Sequence, residues 1–172
     1  MSEESMPVAL AKESLRYYMT HEKIMPIQRE SIHSGLLQPA GVFVSLKKNG
    51  QLRGCIGTIL PTQESAAQEI VRNAVSAAVE DPRFPRVTAS ELAELDVSVD
   101  ILGAPERIES IAQLDPKKYG VIVQLGRRSG VLLPDLEGVE SAMHQVEIAC
   151  SKAGINPAEK FTLYRFQVTR HK

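Results

Sequence analysis

Arg53 and Cys55 are the pair whose types and spacing most invite chemistry. They lie in Gln51 to Ile59, Q-L-R-G-C-I-G-T-I, with Gly54 and Gly57 beside them. A guanidinium near a thiol favours the thiolate, the nucleophilic and anion-sensing form of cysteine. Glycines inside a strand mark a bulge, a bend or the close approach of a ligand or another backbone. The spacing therefore nominates a small-molecule or peptide site. In it Cys55 is the nucleophile, Arg53 orients an anionic group or holds the thiolate, and Gly54 and Gly57 thin the strand for binding. A competing reading takes Cys55 as a core residue, because free cysteine commonly packs as a small hydrophobe. Arg53 is then an ion-pair partner of Asp81 or of a glutamate.

Three more residues belong with this pair. Asn73 falls near the apolar stripe of a predicted helix, where a buried amide must be hydrogen-bonded; it serves backbone beside the hairpin or contacts a ligand. Asp81 and Arg83, in E-D-P-R-F-P, form a local clasp with Phe84 plugging the core. In the rival account, Asp81 or Glu80 is an acid-base partner for Cys55, which requires hydrogen-bond reach. His33 sits in an irregular loop, from which it either swings toward a site or is simply exposed, and His144 lies on a helix one turn from Glu147 without an H-E-x-x-H pattern, which predicts no metal site. Gly126 and Gly130 lack the lysine-serine pair or G-x-G-x-x-G context of a phosphate loop.

These side chains need elements to hold them. Asn49-Gly50 is a preferred two-residue hairpin turn, so Val42 to Lys48 and Gln51 to Ile59 read as its arms. Setting Lys48 opposite Gln51 predicts Leu46 opposite Arg53, Val44 opposite Cys55 and Val42 opposite Gly57. These six then share one face, with Phe43, Leu52, Gly54 and Ile56 on the other. Ser5 and Pro7 start a helix running to about Thr20, and a second helix spans about Ser65 to Val79 with Ala67, Ile70, Val71, Ala74 and Ala78 as its buried stripe. Thr88 and Glu91 form a capping-box pattern for a short helix to about Glu94. Val97, Val99 and Ile101 describe a half-buried strand. Tyr119 to Leu125 is a further strand, returning through a Gly126 to Gly130 loop into Val131 to Leu133. A helix from about Ser141 to Ala153 carries Cys150 on its core side and ends at Gly154. Phe161 to Val168 closes a sheet before a polar tail, Thr169 to Lys172. Hairpins outnumber strand-helix-strand units, which predicts an α+β fold with a largely antiparallel sheet and packed helices.

Composition narrows the classes. The chain has 172 residues, 43% hydrophobic and 24% charged, with a net charge of -1, as expected of one globular domain. It carries no basic footprint, and with no Trp it lacks the stacking platforms of nucleic-acid binding. No apolar run approaches the roughly 18 residues of a membrane span, and the acidic start is unlike a secretion signal. Two cysteines without a C-x-x-C suit a reduced, cytoplasmic setting.

L-R-G-C-I-G at Leu52 to Gly57 resembles the signature of the AMMECR family. N-A-V-S-A-A-V-E-D-P-R-F-P at Asn73 to Pro85, G-V-L-L-P at Gly130 to Pro134 and K-A-G-I at Lys152 to Ile155 follow in the same order. The resemblance covers most of the chain and is similar in type to the A protein of the AmmeMemoRadiSam system. It implies a single domain of residues 1-172 divided into a larger and a smaller lobe. It also implies a pathway shared with a Memo-like protein and a radical S-adenosylmethionine enzyme. That enzyme's cofactor would stay with the partner, since no three-cysteine cluster motif occurs here. Two function classes follow: a small-molecule-binding or modifying protein, thiol-dependent if an enzyme and without a cofactor of its own, or a non-catalytic interaction module.

Overall fold

The structure, a computed structural model, describes residues 3–172. The chain divides into two compact units. One comprises the described residues up to Leu102 together with Thr169–Lys172, and the other is Gly103–Val168. The first begins with α1 (Met6–His21), β1 (Val42–Lys48), β2 (Gln51–Thr58), α2 (Ala66–Val79) and β3 (Leu95–Leu102). The second holds β4 (Glu106–Ile108), β5 (Gly120–Leu125), β6 (Arg128–Leu132), α3 (Ala142–Ala153) and β7 (Thr162–Phe166). The chain then returns in β8 (Val168–His171) to the first sheet. Sheet orders are β2-β1-β3-β8 and β4-β7-β5-β6, and hairpin and cross-sheet pairings are antiparallel. This is the expected α+β architecture. Among the described residues, no helix is long and apolar enough to cross a membrane.

Each unit has its own core. Val42, Val44 and Leu46 of β1 pack with Ala67, Ile70 and Ala74 of α2 and with Val99 of β3. In the second unit Val121 and Val123 meet Val146, Ala149 and Cys150. Helix α2 starts where predicted because the Ser65 hydroxyl accepts the Gln68 amide at 3.2 Å, and α3 ends on Gly154 at φ 68°, a left-handed cap that glycine adopts without a Cβ clash. The Asn49-Gly50 turn has positive φ at both positions, as a two-residue hairpin of this kind requires.

Four expectations change. The hairpin register holds for Lys48 opposite Gln51 and Lys47 opposite Leu52. It then slips, so that Leu46 faces Gly54, Ser45 faces Cys55, Val44 faces Ile56, Phe43 faces Gly57 and Val42 faces Thr58. Arg53 is the extra residue of a bulge, and one extra residue exchanges the faces of everything beyond it. Gly54 and Ile56 thus join Val42, Val44 and Leu46 on the buried face, while Cys55 and Gly57 share the opposite face with Phe43 and Ser45. The second hairpin turns tightly at Gly126-Arg127, and its return strand starts at Arg128 rather than Val131. Phe84 is only half-buried, and Val87 enters the core in its place. The polar tail from Thr169 is a strand: Arg170 donates to both oxygens of buried Asp100 at 2.8 and 3.1 Å, fastening β8 beside β3.

Candidate functional site

Strand β2 lies at a sheet edge, so alternate backbone groups along it point away from β1 and need partners. At Cys55 both find them. Its N–H donates to Asp81 Oδ2 at 2.9 Å and its C=O accepts from Arg83 Nη2 at 3.2 Å. Asp81 and Arg83 pair in turn: Oδ1 accepts Arg83 N–H and Nε, each at 3.0 Å, and Oδ2 accepts Nη2 at 2.8 Å. The clasp read from the sequence is therefore present, and it also fixes the position of the cysteine. Proline at 82 stops α2 and aims this side-chain pair at the edge. Arg83, then burial in opposition, then the Cys55 amide set the Asp81 carboxyl, and the net effect holds it well below the usual carboxylate range. A carboxylate so committed is a poor base for the thiol.

The Cys55 side chain is half-buried, and its Sγ lies 3.2 Å from Ser45 Oγ. Ser45 pairs with Ser98 of β3, and Phe43 with Asp100. The sheet face opposite α2 thus carries a row of thiol and two hydroxyls, next to a row of Gly57, Phe43 and the Asp100–Arg170 pair. Gly57 is thin because the Phe43 ring lies over it: a Cβ there would come within 2.2 Å of the ring. Gly54 serves the other face, where a Cβ would sit 2.1 Å from the Ala77 carbonyl oxygen of α2.

Arg53 is occupied elsewhere. Its Nε and Nη2 donate to the two oxygens of Glu91 at 3.1 and 3.2 Å, Nη1 to the Pro85 carbonyl at 2.7 Å and Nη2 to the Arg86 carbonyl at 3.2 Å. The side chain is 14% exposed. The glutamate anticipated as its partner is Glu91, the residue of the predicted capping box, whose carboxylate also accepts the Thr88 amide. The bond from Thr88, followed by that from Arg53, lowers Glu91 from its ordinary 4.5 to about 2. The guanidinium that reaches Cys55 belongs to Arg83, and it binds the carbonyl.

Asn73 does what a buried amide on this helix was expected to do: Nδ2 donates to the Val42 carbonyl at 2.9 Å and to Thr58 Oγ1 at 3.1 Å. One turn earlier lies a group the sequence reading missed. Glu69 is 1% exposed, and accepts from Thr58 Oγ1, Thr62 Oγ1 and the amides of Thr62 and Gln63 at 2.6 to 2.9 Å. Its i, i+4 spacing from Asn73 was the available signal. Ser45 was missed because the bulge was missed. Among the described residues, no group of three or more His, Cys, Asp or Glu is placed to hold a metal ion. Cys150 lies wholly inside the second core, where burial pushes its thiol up.

Relatives can be set against this geometry. The AMMECR1 family model matches residues 8–171. A Clostridium acetobutylicum protein is 50% identical over 169 residues, covering 96% of this chain and 35% of its own, so the chain spans about a third of that relative. A Thermotoga maritima protein is 54% identical over 135 residues, covering 77% of this chain and 78% of its own. The crystal structure of an uncharacterized protein from Pyrococcus horikoshii superposes with a TM-score of 0.86 at 30% identity, over 95% of this chain and 88% of that one.

Proposed function

This chain belongs to the AMMECR1 family, and from that premise we propose that it binds or modifies a small molecule at the sheet face around Cys55. The single observation that carries the reading is a half-buried thiol whose backbone is clamped on both sides, by Asp81 and by Arg83. An edge residue of any type needs partners for these backbone groups; here both partners are charged side chains, and a reacting or gripping thiol gains from the fixed position they give it. In this reading Cys55 is the nucleophile or the gripping group, and Ser45 is its hydrogen-bonding neighbour. Asp81, Arg83 and Arg53 are positioning residues: the first two hold the strand edge, and Arg53 holds the bulge that turns Cys55 to this face. Gly57 keeps the face low, while Gly54 and Asn73 seat the hairpin on α2. The pathway setting proposed with it, alongside Memo-like and radical S-adenosylmethionine proteins in the cytoplasm, rests on the family resemblance alone.

A second reading, a non-catalytic interaction module, draws on a different observation. The charged residues of the motif are spent within the fold, Arg53 on Glu91 and two carbonyls, Asp81 on Arg83 and an amide. Iodoacetamide labelling in a Cys150→Ala background separates the two. A site thiol is expected to alkylate in the folded protein at least as fast as in the urea-unfolded chain, and to slow when Arg83→Ala releases its carbonyl. Labelling that waits for global unfolding removes the thiol site and leaves the module.

A further inference from the structure

A cleft of about 400 Å³ opens in the first unit between α1 and the chain from Met25 to Leu36. Leu36 and Ala67, which line it, belong to the first core. Leu10, Ile27 and Ile32 pack half-buried on that core and form its sides, while Met6 stands 49% exposed. Apolar side chains thus lead from the core out to solvent. The volume is in the range of small-ligand pockets, roughly 300–1,000 Å³, which are mostly apolar with a few polar groups that orient the ligand.

The polar groups of the lining fix the sign of the ligand's charge. Glu13 is its only carboxylate, and no lysine or arginine stands there. Among the described residues Glu13 has no hydrogen-bond or ion-pair partner, in contrast to Asp81, Glu69 and Glu91, which are spent inside the fold. The Ser31 hydroxyl gives its hydrogen to the Gln28 carbonyl at 2.7 Å, so toward a ligand it can only accept. His33 Nδ1 accepts the Gly35 amide at 3.1 Å, a bond that only an uncharged ring makes. A cation entering the cleft therefore meets one negative charge and no positive one, whereas an anion meets repulsion alone.

We propose that the cleft binds an amphipathic amine, a small ligand with one cationic nitrogen and an apolar chain. Leu10, Ile27, Ile32 and Leu36 take the chain, and the Glu13 carboxylate takes the ammonium. Cys55 is not part of the lining, so this site stands apart from the thiol face and does not depend on it.

The test is an NMR titration of the full chain with octylamine, octanol and octanoate, three probes of one chain length that differ in charge. Octylamine is expected to give saturable shifts at Leu10, Ile27, Ile32 and Leu36. It should bind about fivefold more tightly than octanol, as one exposed ion pair allows, and about tenfold or more above octanoate. Glu13→Gln keeps the shape of the side chain at an exposed position of α1. This variant is expected to bring octylamine down to the level of octanol, with octanol binding and the unfolding midpoint unchanged. Absence of a saturable shift at these residues, octanol or octanoate binding as tightly as octylamine, or an undiminished preference for octylamine in the folded variant would overturn the proposal. The three probes are compared on the unaltered chain, so that result does not depend on how the variant folds.

Discussion

Glu91 shows how one carboxylate can hold a hairpin in place. It joins the Thr88 amide to the Arg53 guanidinium, and Lys48 reaches it at 3.3 Å. Its carboxyl, lowered from 4.5 to about 2, binds its proton less readily folded than unfolded. The stabilisation it gives is therefore present above about pH 4.5 and is lost as pH falls toward 2, a swing on the order of 3 kcal/mol. Urea unfolding between pH 2 and 6 should show that swing in the parent chain and a flatter profile for Glu91→Gln. An equal slope in both would mean the ion pair contributes nothing. The sequence offers this pairing as one alternative for Arg53, the Asp81–Arg83 clasp beside an acid-base role for Asp81, and the Asn73 backbone contact beside a ligand contact. Each of those rests on short spacing or on a polar residue in an apolar stripe. That Arg53 turns away from the thiol was not legible, because its acceptors at Pro85, Arg86 and Glu91 lie more than thirty residues on.

Both units use the same two devices to bring their elements together. Gly54 of β2 meets the Ala77 carbonyl of α2, and Gly130 of β6 meets the Ala149 carbonyl of α3, at 2.1 and 2.0 Å from where a Cβ would stand. Phe43 covers Gly57, and Phe166 covers Gly120. The order of elements repeats as well: a hairpin, a helix, then a strand pairing beside the hairpin's first arm. Helix backbone cannot step aside as a side chain can. Gly54→Ala and Gly130→Ala should therefore cost about 3 kcal/mol or more, above Gly57→Ala, where the Phe43 ring can swing away. Thermal unfolding of the three variants checks the ranking, and equal costs would refute it. Helix spans and strand alternation were legible in the sequence, since each is a local period. The bulge was not: it depends on Gly54 having to face α2, a requirement set by packing between distant segments.

Two separate cores, one around Val44 and Val99 and one around Val121 and Ala149, predict two separable stabilities. Leu46→Ala, at a fully buried position of the first core, should cost about 2–5 kcal/mol. Amide hydrogen exchange is expected to rise across β1–β3 and to stay unchanged across β5–β7. Equal loss in both would mean that the two cores melt as one. The second unit's insertion inside the first was hidden from sequence reading because β8 reads V-T-R-H, with no apolar alternation, and is held through Arg170 and Asp100. That crossing of the chain has a consequence for synthesis. A ribosome releases residues from the N-terminus onward, so the inserted unit is nearly finished before the strand its host still lacks has been made. For the time needed to translate residues 103–167, on the order of several seconds at about 5–20 residues per second, nascent β3 waits with one edge bare and Asp100 without its arginine. Its closure must wait until the inserted unit has been made, and the bare edge is where a chaperone or a misdirected strand would compete for the growing chain.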